Sequence, residues 1–318
     1  MATSVLLNQH LLSEISSYQN GMYQDVTEIV RLWQRQSGFT RSRELVRALE
    51  LGKSLRMFLR LASCRLEIYT PDVIDYMIQH GYLEAIKYLA KCSMQCSLNG
   101  LNLAVSYGHL DIVAFLQTHE MECWLQHTID LTCENGHLKI LQYLHTHNGR
   151  YGATTHAMNR AASKGYLDIV KFLHEHRNEG CTTEAMDQAS ANGHLDIVEF
   201  LHNNRTEGCT VNAMDGAASS GYLEIVEFLH RYRHEGCSTL AMDLAASNGH
   251  LHIVKFLHMH RTEGATTLAI DTAAAHGHLQ VVQYLLEHRN EKWRDALSWA
   301  KRSNHISIVS YLESFSSK

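Results

Sequence analysis

Residues Cys181–Gly208 read CTTEAMDQASANGHLDIVEFLHNNRTEG, and this 28-residue unit recurs in both directions along the chain. Its anchor, Gly-His/Tyr-Leu, stands at Gly81, Gly108, Gly136, Gly165, Gly193, Gly221, Gly249 and Gly277, with a weaker copy (NHI) at Asn304. Successive anchors lie 27–29 residues apart, and a degenerate further unit centres on Gly52. Within the unit, Ala185, Met186 and Ala189 mark one side of a short helix. Leu195, Ile197, Val198, Phe200 and Leu201 mark a second, apolar on more than one face and therefore buried between neighbours. Gly193 suits the tight turn between them, because positive φ costs glycine little. Gly180, Gly208, Gly236 and Gly264 follow each second helix, where C′ caps fall, and Thr182 or Thr183 offers the next N-cap. Two helices of this size cannot bury their apolar faces alone, but stacked copies can. The expected fold is all-α, a solenoid of about nine or ten helix-turn-helix repeats.

Composition narrows the function classes. One Pro in 318 residues excludes polyproline ligands and Pro-rich linkers, since average usage is roughly 5%. With 45% hydrophobic residues the chain has enough apolar surface for a core. No window approaches the ~18 uninterrupted apolar residues of a membrane span, and MATSVLLNQHLLS at the start lacks the basic region of a secretory signal. Lys and Arg number 28 against 33 Asp and Glu, which gives no electrostatic footprint for nucleic acid. No phosphate-loop, nucleophile-elbow, HExxH or dinucleotide motif is present, so neither enzyme activity nor a cofactor is expected.

The stretch AASNGHLHIVKFL (Ala245–Leu257) resembles the ankyrin repeat, and the resemblance extends over about residues 43–314. That family's period is ~33 residues, and the shortfall falls between the second helix and the next first helix. In ankyrin repeats this segment forms a projecting β-hairpin finger, so the resemblance implies fingers reduced or absent. It also implies a protein-binding scaffold that holds its partner on the concave face of the array.

Several residue columns invite a chemical reading. Asp75, Asn102, Asp130, Asn159, Asp187, Asp215, Asp243 and Asp271 occupy one repeat position. Neighbouring repeats stand ~8–10 Å apart, the spacing of packed helices, which is too far for shared metal ligation. Each carboxylate is better suited to accept N–H groups in the first turn of its own helix. The pairs His145/His147, His174/His176 and His258/His260 diverge by about 200° at i, i+2, so they are not helical metal pairs. Most are expected to close the last turn of a helix, while anchor His109, His137, His194, His250 and His278 alternate with Tyr82, Tyr166 and Tyr222, which implies packing plus one hydrogen bond. Protonating all 23 His would carry the formal charge from −5 to +18, so stability or binding should change below about pH 6.5. Cys96, Cys181, Cys209 and Cys237 share a slot also filled by Ala153 and Ala265, too widely spaced for disulfides. Reduced thiols imply an intracellular, cytoplasmic protein, with the nucleus left open. Arg177/Glu179, Arg205/Glu207, Arg233/Glu235, Arg261/Glu263 and Arg289/Glu291 form two charge columns, expected as a solvated ladder at a repeat edge.

Residues 1–40 lie outside the repeat, and 41–318 form the array with its C-terminal cap (Trp293, Trp299, Ser303 and ESFSSK). Leu7, Leu11, Leu12, Ile15 and Tyr18 fit one amphipathic helix and Gly21–Trp33 a second. This spacing resembles a degenerate F-box, with Asn8 in place of that family's Pro, and would imply a substrate receptor docked on a ubiquitin ligase adaptor. A simple cap over the first repeat is the alternative.

Partner recognition should reside where repeats differ from each other within an otherwise constant frame. Three positions vary in charge and size: nine before the anchor, five before it, and the residue just before it. From them the candidate partner-binding residues are Tyr76, Tyr107, His127, His156, Arg160, Lys164, Glu184, Gln188, Asn192, Asn212, Leu240, Asn248, Leu268 and His276. The expectation is a monomer that binds protein and neither nucleic acid nor membrane.

Overall fold

The computed structural model describes residues 69–119, 127–147, 152–289 and 293–316, together with 18–19 and 22–23. The chain divides into two compact units, Met1–Gly152 and Ala153–Lys318. In the first, the helices are α1 (Pro71–Gln79), α2 (Leu83–Lys91), α3 (Gly100–Ser106), α4 (Leu110–Thr118), α5 (Thr128–Glu134) and α6 (Leu138–His147). The second holds α7 (Thr155–Lys164), α8 (Leu167–His176), α9 (Thr183–Ala191), α10 (Leu195–Asn204), α11 (Val211–Ser220), α12 (Leu223–Tyr232), α13 (Thr239–Ser247), α14 (Leu251–His260), α15 (Thr267–Ala275), α16 (Leu279–His288), α17 (Ala296–Arg302) and α18 (Ile306–Ser316). Odd-numbered helices are the first of each pair and even-numbered the second. Within each unit, every first helix packs on the next first helix and every second on the next second.

Small side chains set this geometry. Ala185, Met186 and Ala189 of α9 are buried, and their equivalents repeat along the row. The second helices contribute Ile197, Val198 and Leu201 to the same core, each stabilising by ~1.5–3 kcal/mol when fully buried. Leu195 and Phe200, expected inside, are half-buried. One core position is mismatched. Ser190 fills a slot taken by Ala162, Ala218, Ala246 and Ala274 elsewhere, and its buried Oγ has no hydrogen-bond partner. Ser190→Ala is expected to raise stability by about 1 kcal/mol, the lower end of the penalty for an unsatisfied hydroxyl. A denaturation midpoint unchanged or lowered in urea would contradict it.

The turn inside each pair is closed by glycine. After α9, Gly193 adopts φ +84°, and His194 N–H donates to Ala189 O at 2.9 Å, the long bond of a Schellman cap. In the weak ninth copy, Asn304 takes this role at φ +60°, since Asn is the residue other than Gly that visits this region most readily. The N-cap is Thr182, whose hydroxyl accepts from Glu184 N–H, and Thr154, Thr210, Ser238 and Thr266 do likewise. Gly180 is not a C′ cap. The helix stops at an extended Arg177, and Gly180 (φ +71°) comes three residues later, beneath the Arg205 side chain of the next repeat. A Cβ there would lie 2.7 Å from Arg205 Nη2, so close approach rather than capping explains this column.

No strand lies between successive pairs among the described residues, so the fingers are reduced to extended connectors. The one β-ladder among the described residues is β1 (Tyr18–Gln19) against β2 (Met22–Tyr23), antiparallel, with Tyr18 opposite Tyr23 and Gln19 opposite Met22. Tyr18, Met22 and Tyr23 are therefore not helical as their apolar spacing suggested. The sequence between them is Asn-Gly, a dipeptide that strongly favours hairpins, and the apolar spacing gave no sign of it. The remaining N-terminal positions, Glu291 and the unit around Gly52 lie outside the described residues.

Candidate partner-binding face of the first helices

The Asp column sits at the junctions between repeats. Asp187 Oδ1 accepts from Thr210 N–H and Oδ2 from Thr210 Oγ1, both at 2.7 Å. Asp215 holds Ser238 in the same way (2.9 and 2.5 Å), and Asp243 holds Thr266 (2.8 and 2.7 Å). Each of these carboxylates is buried. They accept from the next repeat rather than from their own helix. The hydroxyl they fix is the very N-cap of the following first helix, so one residue joins two hairpins. Asn159 does the same with an amide, accepting from Thr182 N–H at 3.0 Å and donating to Thr182 Oγ1 at 2.8 Å. Each oxygen of these buried carboxylates is thus engaged by one donor of the next repeat.

The charge columns are junctions too. Arg205 and Glu207 pair side by side, as do Arg177/Glu179, Arg233/Glu235 and Arg261/Glu263, and all but the exposed Glu179 are half-buried rather than solvated. Glu207 Oε1 also accepts from Cys181 N–H of the preceding repeat at 3.3 Å. The Arg205 hydrogen bond, outweighing burial, holds the Glu207 carboxyl down at about 2, and Arg261 does the same for Glu263. Burial, with the neighbouring glutamate charge, pushes the Cys181 and Cys237 thiols up to about 11 and Cys209 to about 12. They remain thiols at neutral pH and are poor nucleophiles.

Histidines complete the frame. His194 Nε2 donates to Ser163 O at 3.2 Å, and His109, His137, His250 and His305 make the matching bond at 3.0–3.2 Å. The His194 and His250 rings lie on Gly165 and Gly221, while Tyr222 takes that place over Gly193. At the far end of the second helices, His176 Nδ1 donates to Phe172 O and stacks on its ring. His174 instead meets Phe200 of the next repeat edge-on. No three His, Cys, Asp or Glu among the described residues converge to hold a metal ion.

Burial depresses the pKa of His250 and His278 below the ordinary 6.5, and burial together with Arg261 does so for His230. The unfolded chain therefore takes up these protons first as pH falls through ~6.5, and stability declines with them. Glu207 and Glu263 add a second loss as pH falls from 4.5 toward 2. Melting temperature is expected to be flat above pH 7 and lower at pH 5.5; a constant value between those two would refute the assignment.

The variable positions remain. Every candidate residue named from the sequence is exposed except Tyr76, which is half-buried and stacked on His80. Several have their polar atoms engaged within the chain. Asn192 and Asn248 donate to Ser163 O (2.9 Å) and Ser219 O (2.7 Å), and His276 Nδ1 donates to Ser247 O (2.9 Å). Tyr107 accepts from Gln79, and His127 meets Asp130 at 3.2 Å. Four others converge. Glu184, Gln188, Asn212 and Leu240 line one groove of about 510 Å³ across α9, α11 and α13, with Gly216 and Leu244 beside them. Gly216 allows this close approach, since a Cβ there would lie 2.7 Å from that of Ala191. Leu268 continues the row on α15, whereas His156, Arg160 and Lys164 begin it on α7. Trp299 on α17 was not among the sequence candidates. It stands five before the Asn304 anchor and is 44% exposed, so carrying the column into the ninth copy finds it.

These features define a protein of stacked helical hairpins in which constant residues build junctions and variable ones face outward. The family model for ankyrin repeats, in sets of three copies, matches residues 129–215, 214–288 and 242–316, more than half of the chain together. The chain belongs to the ankyrin-repeat family. No curated protein matches it. Ankyrin repeats generally mediate protein–protein interaction and are typically non-catalytic. No helix among the described residues is long and apolar enough to cross a membrane.

Proposed function

We propose that this chain is a non-catalytic scaffold that binds a protein partner on the exposed face of the first helices of the Ala153–Lys318 unit. The observation that carries the reading is the contrast along one row. Asp187, Asp215 and Asp243 are buried and engaged on both oxygens by bonds between repeats, while the residues one turn away on the same helices are exposed and differ from repeat to repeat. Binding energy concentrates in a few such side chains. A bait made of the full chain should lose its captured proteins on Leu240→Glu combined with Gln188→Ala, with its melting temperature unchanged. Capture indifferent to the pair would overturn this face.

A second reading gives residues 1–40 a separate role, as an F-box-like module that docks a ubiquitin ligase adaptor while the array, 41–318, selects the substrate. The spacing of Leu7, Leu11, Leu12 and Ile15 favours it. Loss of ligase components from the bait on deletion of 1–40, with other partners retained, selects this reading; retention of all partners selects the cap. Reduced thiols in a monomer of the cytosol are consistent with both.

A further inference from the structure

The exposed row of the second unit changes character from one end to the other. At α7 it presents Arg160 and Lys164, both exposed cations. On α9 and α11 it becomes polar, with Gln188 and Asn212, whose side-chain amides make no hydrogen bond within the chain among the described residues. On α13 and α15 it is apolar, with Leu240, Leu244 and Leu268 exposed by 50%, 37% and 54%. Trp299 on α17 extends the apolar end. Exposed leucines in two consecutive copies of a position that elsewhere carries Asp, Asn, His or Glu, with exposed Leu244 one turn along from the first, are a patch, not scatter.

We propose that the row receives an extended peptide segment of a partner, acidic at the α7 end and carrying large apolar side chains about nine residues further on. This rests on the reading of the row as the docking face. First helices stand ~10 Å apart and an extended chain advances ~3.3 Å per residue, so every third peptide residue meets a new repeat. Three repeat steps separate α7 from α13, which gives the nine-residue offset. A primary amide offers a donor and an acceptor together, so Gln188 and Asn212 are suited to a peptide backbone, which exposes both. The groove of about 510 Å³ beside Leu240 and Leu244 takes the first apolar side chain. Glu184, whose exposed carboxylate already accepts from Asn159 Nδ2 at 3.0 Å, repels acid at the second step and so confines the negative charge to the first.

Panning a random 16-residue peptide library on the full chain tests this, with the enriched peptides fluorescein-labelled and measured by anisotropy. Enriched peptides should place Asp or Glu about nine residues from Leu, Ile or Phe. Leu244→Glu should weaken them at least tenfold. Arg160→Glu combined with Lys164→Glu should weaken them as much, and should restore binding to the same peptides with Lys in place of the acids. Each variant is checked by thermal melting, and Leu244→Gln replaces Leu244→Glu if the latter melts lower. Peptides lost on the Leu244 change but indifferent to the charge reversal overturn the acidic-to-apolar partner and leave the face standing. Peptides indifferent to both overturn the face as well. Failure to enrich any peptide overturns a linear segment as the occupant.

Discussion

Asp215→Ala is expected to cost about 3 kcal/mol, because it removes two bonds to a carboxylate, each worth about 1.5–3 kcal/mol, from one buried site. The loss is not confined to α11. Ser238 loses the partner of its N–H and the acceptor that orients its hydroxyl, and that hydroxyl caps Leu240 N–H of α13 at 3.1 Å. The figure lies at the low end because water can reach half-buried Ser238 once the carboxylate is gone. Asp215→Asn should cost under about 1 kcal/mol, since one N–H···O bond is kept and a neutral hydrogen bond replaces the other. Asn159 shows how an amide fits the position, with one atom accepting and the other donating. Urea denaturation of the three proteins checks both figures. Equal loss in the Ala and Asn variants would mean that the charge, not the hydrogen-bond pattern, holds the junction.

Gly193→Ala should cost about 2–3 kcal/mol, and two separate causes contribute. At φ +84° a Cβ meets the chain's own carbonyl, a penalty of roughly 1–2 kcal/mol. The new methyl would also lie 2.5 Å from Cζ of Tyr222, which must move from its place over the turn. Gly193→Asn separates the two, because Asn relieves the backbone part, as Asn304 does at φ +60°, but keeps the Cβ. The Asn variant is expected to recover about 1 kcal/mol of the loss. If both variants melt with the parent, the ring is free to shift and the tight packing at this turn contributes nothing.

The repeat, its two helices and its glycine turn were legible because each is local, written within one 28-residue unit and copied many times. The N-caps followed from the same logic. What spacing within a unit could not reveal is what joins units. Asp187 meets Thr210, Asp215 meets Ser238 and Asp243 meets Thr266, always 23 residues on, so the clue was a pairing of columns rather than a helical period. The Arg/Glu pairs misled in the same direction: opposite charges two residues apart look solvated until the preceding repeat's glycine is found beneath the guanidinium. On the exposed face, variability between copies named Glu184, Gln188, Asn212 and Leu240, which share a groove. It also named Asn192, Asn248 and His276, whose polar atoms are bonded to the neighbouring repeat. Exposed positions vary for either reason, and only distances separate them.

The bond from each aspartate to the cap 23 residues downstream gives the array a direction. A hairpin leaving the ribosome presents a ready acceptor before its successor has been translated. At about 5–20 residues per second, a 28-residue unit takes a few seconds to synthesise, whereas helices form within microseconds. Each newcomer is therefore expected to meet a neighbour that is already synthesised and carries the acceptor it docks on.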